Sequence, residues 1–238
     1  MGFLPFDLGF SNDRAQEWED VPVYTAVKRL VSRPVEDTFD IRTRGLDRIP
    51  NEGGAVLAAN HASWFDPVFL GAVVDRPVHW MAKADLFRNP LTESFFEKAG
   101  QIKVDRISGG NEAAVDKSVE LARQGRVSGI FPEGSRTIDG SLRRGRTGVA
   151  RVAVRSGRPV VPVALTSYSV LPKHARVPDL DKPLAIKVGD PMVYQGLEDR
   201  VGDVDLYRKI TDEIMDEVGR LLEQARTLRD QAAYEDSA

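Results

Sequence analysis

Residues 55–67 have the sequence AVLAANHASWFDP, and this stretch decides the fold. The apolar run over residues 55–59 predicts a short buried strand. Asp66 followed by Pro67 is typical of a helix start, because aspartate caps the first turn and proline is tolerated at the first helical position. The stretch therefore predicts a strand, a turn and a helix in succession, with His61 in the turn. In α/β folds, such strand ends are where chemistry-bearing residues commonly lie.

Strand and helix patterns alternate along the rest of the chain. Further strands are predicted over residues 39–43, 78–81, 101–105, 128–131, 160–165 and 184–188, and helices over residues 67–74, 84–99, 111–124, 148–155 and 205–228. This alternation predicts an α/β fold with a layered sheet. Pro162 lies inside an apolar strand pattern, which predicts a sheet edge or a bulge there.

The chain divides into three predicted segments. Residues 1–36 form an N-terminal membrane-associating segment, residues 37–228 an α/β domain, and residues 229–238 a disordered tail. The first segment has Phe and Leu crowded between Phe3 and Phe10, followed by an amphipathic helical pattern from Asp20 to Arg33 with basic residues beside its apolar face. Such a helix either lies in a membrane interface or packs on the protein's own core.

Composition limits the class of protein. The 238 residues carry a formal net charge of −3, which disfavours a general nucleic-acid binder. The chain has no cysteine, which excludes disulfides, thiol nucleophiles and thiolate metal sites. Polar residues interrupt the longest apolar run, over residues 54–74, and the N-terminus lacks the positive region of a signal peptide. We therefore expect a protein at the cytoplasmic face of the cell membrane, peripheral or monotopic.

His61 and Asp66 are the first candidate site residues. On a regular helix, residues five apart are turned about 140° from one another, so the two side chains can pair only if His61 precedes the helix. A carboxylate on one imidazole nitrogen fixes the tautomer and leaves the other nitrogen free to act as a base. From these two residues alone, a structural histidine with Asp66 as a helix cap is the favoured interpretation.

Two further stretches contain residues suited to binding phosphate. FPEGSRT, residues 131–137, follows an apolar strand and places Glu133 and Arg136 on either side of Gly134, a residue that allows close backbone approach. The planar guanidinium of arginine suits phosphate. GQIKVDR, residues 100–106, ends a predicted strand in Arg106. Taken singly, the first stretch is better explained as a turn with a salt bridge, and Arg106 can either bind a phosphate or pair with Asp105.

Together, in this order and spacing, the stretches resemble the four sequence blocks of the glycerolipid acyltransferase family typified by 1-acyl-sn-glycerol-3-phosphate acyltransferase. The matching residues are Asn60, His61 and Asp66 in the first block, Gly100, Ile102, Val104 and Arg106 in the second, Phe131, Pro132, Glu133, Gly134 and Arg136 in the third, and Val161, Pro162 and Val163 in the fourth. Ser135 and Thr137 replace the family's threonine and serine, and the similarity covers roughly residues 39–193.

The resemblance implies a glycerol-3-phosphate acyltransferase-like fold, with a mixed central sheet flanked by helices, and direct acyl transfer without an acyl-enzyme. His61, oriented by Asp66, would take the proton of the acceptor hydroxyl as it attacks a thioester carbonyl. The implied substrate-binding residues are Arg106, Glu133, Gly134 and Arg136. Lys83 is added because it lies where such enzymes often place a further basic residue. No cofactor or metal is implied, and the acyl donor would be acyl-CoA or acyl carrier protein.

The acceptor expected first is 1-acyl-sn-glycerol 3-phosphate, which would give phosphatidate. Glycerol 3-phosphate, another lysophospholipid or a glycolipid is an alternative acceptor. A lipid-binding membrane scaffold and a thioesterase are alternatives of other classes. The dyad disfavours the scaffold, and the phosphate-suited arginines disfavour the thioesterase.

The stretch from Arg136 to Arg158 contains seven arginines and a single acid, Asp139. Such a block usually forms a solvated face. Beside a phosphate-binding turn it can also attract an anionic donor, so we predict that Arg143, Arg144 and Arg146 contribute to donor docking. Four other residues are expected to be structural or exposed rather than functional: His79, His174, Trp64 and Phe65.

Overall fold

The computed structural model describes residues 21–104, 111–175, 177–180 and 182–235. Within these ranges the chain forms seven strands and six α-helices. The strands are β1 (Ile41–Arg44), β2 (Ala55–Ala59), β3 (Val78–Lys83), β4 (Ile102–Val104), β5 (Val127–Ile130), β6 (Val160–Leu165) and β7 (Leu184–Val188). The helices are α1 (Pro22–Phe39), α2 (Asp66–Val73), α3 (Pro90–Lys98), α4 (Asn111–Arg123), α5 (Gly148–Ser156) and α6 (Val204–Glu235).

All seven strands join one sheet in the order β1-β7-β6-β2-β5-β3-β4. Every neighbouring pair is parallel except β6 and β7, which are antiparallel. The predicted α/β fold with a mixed central sheet flanked by helices is therefore confirmed. Because the carboxyl ends of β2, β3, β4, β5 and β6 lie at the same edge, the turns after these strands meet there.

The central strand β2 is buried on both faces, since successive side chains of a strand point to opposite sides. Leu57 faces a cluster that includes Phe69 of α2, whereas Val56 faces the opposite cluster with Val119 of α4 and Ile214 of α6. This two-sided burial explains why residues 55–59 are apolar without alternation. The predicted bounds of β2, β6 and β7 agree with the structure.

Two predicted elements have different bounds for local reasons. Phe39 ends α1 instead of starting a strand, and its ring packs edge-on against Phe69 with the centroids 4.9 Å apart. The predicted helix over residues 84–99 is broken before Pro90, because a residue preceding proline disfavours helical backbone. Asn89 is extended, and its side chain accepts a hydrogen bond from the Leu91 N–H, so α3 begins at Pro90.

Helix α1 begins at Pro22 and continues to Phe39, beyond the predicted segment end at residue 36. It packs on α2. Its predicted apolar face is only partly covered, because Leu30 is 75% exposed and Val27 is 37% exposed. Residues 1–20, including the aromatic cluster and Asp20, lie outside the described residues. In the described ranges we find no helix that is both long and apolar enough to cross a bilayer.

Pro162 lies in an interior strand, so the edge alternative is wrong and the bulge alternative is confirmed. The antiparallel ladder joins Val163 to Val188, and a separate bridge joins Val160 to Met192. Residues 161–162 of β6 thus face residues 189–191 of the segment after β7, and this extra residue is a bulge. The Pro162 carbonyl accepts the Gly189 N–H on that side. Proline has no N–H to donate in return, and the bulge interrupts the ladder at this point.

The predicted disordered tail is wrong over residues 229–235. Helix α6 continues to Glu235, and Ala232 is buried. Ala225 and Ala232 are both buried, so the covered face of α6 continues past residue 228. Residues 236–238 lie outside the described residues.

Candidate active site

His61 and Asp66 form a hydrogen-bonded pair in the turn between β2 and α2. The His61 Nδ1 and Asp66 Oδ2 atoms are 2.8 Å apart. The same Oδ2 accepts the backbone N–H groups of Ala62 at 2.8 Å and Ser63 at 2.9 Å. An oxygen that accepts two backbone donors must also act as an acceptor toward the imidazole, so Nδ1 carries the proton. The neutral ring therefore has its lone pair on Nε2.

The burial of the pair is uneven. The Asp66 side chain is fully buried, whereas 18% of the His61 side chain is exposed. Asp66 Oδ1 has no hydrogen-bond partner among the described residues. One carboxylate oxygen of Asp66 therefore accepts all of the hydrogen bonds that this side chain makes, from the imidazole and from the backbone between His61 and Asp66.

Three contacts from distant segments fix the turn that carries His61. Asn60 is buried, and its side chain donates to the Leu165 carbonyl at 3.0 Å and accepts the Leu165 N–H at 2.8 Å. The His61 carbonyl accepts the Thr137 N–H at 2.9 Å. Glu133 Oε1 accepts the His61 N–H at 2.7 Å. Asn60 was part of the resembled motif, but nothing in the local sequence indicated its partner on β6.

Glu133 joins the turn of His61 to the basic stretch. It is buried, and its Oε2 accepts the Arg143 N–H at 2.9 Å while its Oε1 holds the His61 N–H. Burial raises the pKa of Glu133, and the two backbone hydrogen bonds only partly offset this effect. Both carboxylate oxygens of Glu133 thus accept main-chain N–H groups. In this structure the side chain binds the backbone of the site itself.

A cavity of about 960 Å³ opens beside His61. Its apolar part is formed by side chains of α1, α2, α3 and the segment between β3 and α3, namely Tyr24, Val27, Val31, Val68, Leu86, Phe95 and Phe96. Its basic part is formed by Arg136, Arg146 and Arg151 with the first residues of α5. His61 lines the same cavity, so the imidazole is in contact with a space that combines apolar and cationic walls.

Gly134, in the turn after β5, lies against the side chain of Arg146. Gly134 has a positive φ of 69°, and a Cβ there would lie 2.6 Å from Arg146 Nε. The side chain of Arg146 thus lies across the glycine. Arg136 and Arg146 both line the cavity, and among the described residues neither guanidinium has an ion-pair partner. Unpaired guanidinium groups at a cavity wall suit a phosphate group.

The other predicted basic residues have different positions. Lys83 lines the cavity but forms an ion pair with Asp85. Arg143 is exposed, donates to Ser135 Oγ at 2.6 Å and does not line the cavity. Arg144 is also exposed and lies outside the cavity wall. Of the three predicted donor-docking arginines, the structure places only Arg146 at the cavity. Arg106 lies outside the described residues.

Two aromatic residues after His61 behave differently from one another. Phe65 packs against the core cluster around Phe69, as predicted for a packing residue. Trp64 is 60% exposed and lines the cavity, so the prediction of a packing role is wrong for it. Its ring is tilted against that of Phe65, with the centroids 4.1 Å apart. The turn directs position 64 outward because the backbone N–H groups of the two preceding residues are held by Asp66.

Lys28 is a structural residue that sequence reasoning missed. Its ammonium donates to the carbonyls of Gly71 and Ala72 at 2.8 Å and of Val74 at 2.9 Å, at the end of α2. A cation at a helix C-terminus is favourable for the helix dipole. Burial lowers the pKa of the Lys28 ammonium. Lys28 thus fastens α1 to the helix whose first residue is Asp66.

The two remaining histidines agree with their predictions. His79 is buried, and its Nδ1 lies 2.7 Å from the Gly100 carbonyl. His174 is exposed. Among the described residues there is no group of three or more histidines, cysteines or acids that could hold a metal ion.

The fold and site define an α/β protein with an imidazole–carboxylate dyad on the wall of a partly apolar, partly cationic cavity. The model of the family described as Acyltransferase matches residues 40–166, which include the dyad and the turn after β5. The chain belongs to this acyltransferase family.

Relatives of known name agree with this assignment. The chain is 32% identical over 126 residues to the 1-acyl-sn-glycerol-3-phosphate acyltransferase of Bacillus subtilis, covering 52% of this chain and 61% of that protein. It is 34% identical over 152 residues to the lyso-ornithine lipid O-acyltransferase of Pseudomonas aeruginosa, covering 64% of this chain and 54% of that protein. The chain thus spans little more than half the length of these two curated relatives.

A solved structure has the same fold. The crystal structure of the 1-acyl-sn-glycerophosphate (LPA) acyltransferase from Thermotoga maritima has a TM-score of 0.64 and 20% sequence identity, covering 92% of this chain and 85% of that one. At this identity, the likeness concerns the fold alone.

Proposed function

We propose that the protein transfers a fatty acyl group from an acyl thioester to the free hydroxyl of 1-acyl-sn-glycerol 3-phosphate, forming phosphatidate. The observation that carries this proposal is the dyad. Asp66 holds His61 Nδ1 at 2.8 Å, and the imidazole lines a cavity that has both apolar and cationic walls. A base in such a place is suited to a substrate that has a hydroxyl between a hydrocarbon chain and a phosphate.

The proposed reaction has one transfer step. The acceptor hydroxyl oxygen attacks the thioester carbonyl carbon, and His61 Nε2 takes the hydroxyl proton. The new C–O bond forms, the C–S bond breaks, and the imidazolium returns its proton to the sulfur, so the products are an ester and a thiol. Asp66 stabilises the imidazolium through the Nδ1 hydrogen bond and does not itself take the proton.

The proposed phosphate site is the turn after β5. Arg136 and Arg146 would bind the acceptor phosphate, because both line the cavity without an ion-pair partner among the described residues. Gly134 leaves room for Arg146 to lie across the turn. We propose that Glu133 acts by holding the backbone of His61 and Arg143, and that Lys83 contributes charge at the rim. Arg106 keeps its proposed role in phosphate binding on the family resemblance.

The names of the relatives support acyltransferase activity and are compatible with two kinds of acceptor. One relative is named for 1-acyl-sn-glycerol 3-phosphate and another for a lyso-ornithine lipid. The two unpaired guanidinium groups favour the phosphate-bearing acceptor. Glycerol 3-phosphate is favoured less, because it has no chain to fill the apolar part of the cavity.

The acyl donor is proposed to be acyl-CoA or acyl carrier protein, with no further cofactor. Both donors are anionic, so the arginines of the stretch after β5 would attract them. Arg146 is best placed for this role because it lines the cavity, whereas Arg143 and Arg144 would act only as outlying charges.

We further propose that the protein docks on the cytoplasmic face of the cell membrane with the cavity opening toward the lipid. Four exposed apolar side chains line the cavity, namely Val27, Trp64, Leu86 and Phe95, and two more are exposed on the same helices, Leu30 on α1 and Leu91 on α3. Exposed apolar side chains at a cavity wall suit a membrane. The position lets an acyl chain pass from the bilayer into the cavity without crossing water.

Acyl transfer from a radiolabelled palmitoyl thioester to lysophosphatidate tests the reaction. Wild type should form phosphatidate, His61→Ala should lose at least about 10³-fold in rate, and His174→Ala, the exposed control, should match wild type. Product from wild type with lyso-ornithine lipid alone would shift the acceptor class. Product that persists in His61→Ala would overturn the proposal, and no product with any acceptor would favour a lipid-binding scaffold.

Liposome flotation tests the docking surface. We expect the triple change to serine at Val27, Leu86 and Phe95, which are exposed and line the cavity, to lower binding to anionic liposomes. The matched control changes Val193, Val201 and Val204 to serine, since these are also exposed apolar residues but do not line the cavity. Equal losses in both triple variants would contradict the proposed orientation.

A further inference from the structure

Three aromatic rings lie in one stack at the active site. The imidazole of His61 and the ring of Phe131 have centroids 4.1 Å apart and planes 16° apart. The ring of Phe131 in turn stacks on Trp80, with centroids 4.6 Å apart and planes 13° apart. The stack therefore runs from the interior of the sheet to the proposed base.

Gly129 provides the space on which the stack is built. Trp80 on β3 is paired with Gly129 on β5 in the sheet register. A Cβ at Gly129 would lie 2.4 Å from Trp80 Cε3 and 2.5 Å from Cδ2. These indole atoms are part of a buried side chain that is only 3% exposed, so they cannot easily move aside. Gly129 has no positive φ, so the close approach of the indole, and not the backbone conformation, calls for glycine here.

The stack restricts the imidazole on a side that Asp66 does not reach. Asp66 Oδ2 contacts the imidazole only at Nδ1. This hydrogen bond therefore restrains rotation of the ring about its Cβ–Cγ bond at one atom only. Phe131 covers one face of the ring, so a tilt in that direction would drive the imidazole into the phenyl group. His61 lines the cavity and 18% of its side chain is exposed, so these two contacts do not enclose the ring.

We propose that Gly129, Trp80 and Phe131 are positioning residues that fix the plane of the His61 imidazole for proton transfer. This inference rests on the proposed function, because it assigns the stack to the same base. Proton transfer depends steeply on alignment, and a misplacement of about 1 Å in a catalytic group can lower the rate by about 10²-fold. The phenyl face also carries partial negative charge, which favours the ring that becomes cationic when it takes the proton.

Steady-state kinetics of Phe131→Leu and Phe131→Tyr test the role of the ring. Phe131→Leu keeps an apolar side chain at the cavity wall but loses the ring face, so it should lower kcat by about 10- to 100-fold with a much smaller change in KM for either substrate. Phe131→Tyr keeps an aromatic face and should retain most of kcat. The matched control is Phe39→Leu, a buried aromatic residue that neither lines the cavity nor contacts His61. Unchanged kcat in Phe131→Leu would overturn the proposal.

A paired change separates positioning from stability. Gly129→Ala should lower both Tm and kcat, because the new methyl group displaces the indole. Adding Trp80→Leu removes the clash and should restore Tm toward wild type, while kcat remains low because the support under Phe131 is gone. Recovery of kcat together with Tm would mean that the stack serves packing alone, which contradicts the proposal.

Proton NMR tests the geometry without any assay of acyl transfer. The His61 Cε1–H resonance, assigned by its loss in His61→Gln, should be shifted upfield by the ring current of Phe131 and should move downfield in Phe131→Leu. If the shift is present but wild type acylates no acceptor, the proposed function fails while the stack stands. If the shift is absent, the imidazole is not held against Phe131 and the positioning role fails.

Discussion

The change Asp66→Asn tests how the dyad is oriented. In the structure, Oδ2 accepts the His61 imidazole and two backbone N–H groups, whereas Oδ1 has no partner among the described residues. An asparagine must therefore place its oxygen at the Oδ2 position, because its NH₂ group there would face two backbone donors. The imidazole would keep its proton on Nδ1, and Nε2 would remain able to act as a base.

The expected loss of activity follows from this geometry. Asp66→Asn removes only the negative charge that stabilises the imidazolium, and a hydrogen bond to a charged group exceeds a neutral one by about 1–2 kcal/mol. This difference corresponds to about a 5- to 30-fold loss of kcat. In serine proteases the equivalent change costs about 10⁴-fold because the histidine adopts the wrong tautomer. Asp66→Ala should approach that larger loss, since nothing then orients the ring.

The assay compares kcat for wild type, Asp66→Asn and Asp66→Ala under saturating acceptor and donor, with the fold checked by circular dichroism. A loss in Asp66→Asn as large as that in Asp66→Ala would refute the reasoning. It would mean that the amide is turned the other way, or that the two backbone donors do not decide its orientation.

Three further predictions concern residues around the dyad. Burial raises the pKa of Glu133, so its contribution to stability is fully present below the carboxyl's usual pKa and is lost as pH rises through the folded-state pKa. Urea unfolding at several pH values should therefore favour Glu133→Gln over wild type increasingly as pH rises, and a pH-independent difference would contradict this. Lys28→Met loses three hydrogen bonds to α2 and should lower the free energy of unfolding by about 1–3 kcal/mol. The exposed control Arg29→Met should lower it by about 0.5 kcal/mol or less. Equal losses would show that these hydrogen bonds do not stabilise the fold. Arg146→Glu should raise the KM of both acceptor and donor more than Arg144→Glu, because of these two residues only Arg146 lines the cavity, and equal increases would point to long-range steering instead.

The strands and the dyad could be predicted because their signals are local. The apolar run of β2 marks a strand buried on both faces, and Asp66-Pro67 marks the start of α2 next to it. These two signals place His61 in a turn where it can reach Asp66. The bounds of β6 and β7 were accessible for the same reason, since β6 is an apolar run between Pro159 and Thr166 and β7 is a mostly apolar run between Pro183 and Gly189.

The contacts that complete the site could not be predicted, because they depend on sheet order. No periodicity in the chain indicates that Asn60 meets Leu165, or that Trp80 lies over Gly129. The glycine inside an apolar strand was a usable signal for close approach, but it did not identify the approaching ring. Trp64 was misjudged because apolar residues are usually buried, and only the path of the turn turns its side chain outward.

The position of β2 in the sheet has a consequence for how the chain reaches its native state. Both hydrogen-bonding neighbours of β2, β5 and β6, are synthesised after it. Until they emerge from the ribosome, the AVLAA segment is an unpaired apolar strand with two open edges, a form prone to intermolecular association. The Asn60 amide likewise cannot form its hydrogen bonds until the Leu165 main chain has been synthesised. Formation of the dyad's turn is thus a late event that depends on non-local pairing, and such pairing slows folding. Truncated chains that end before β6 should collect as aggregates and not as a smaller, partly active enzyme.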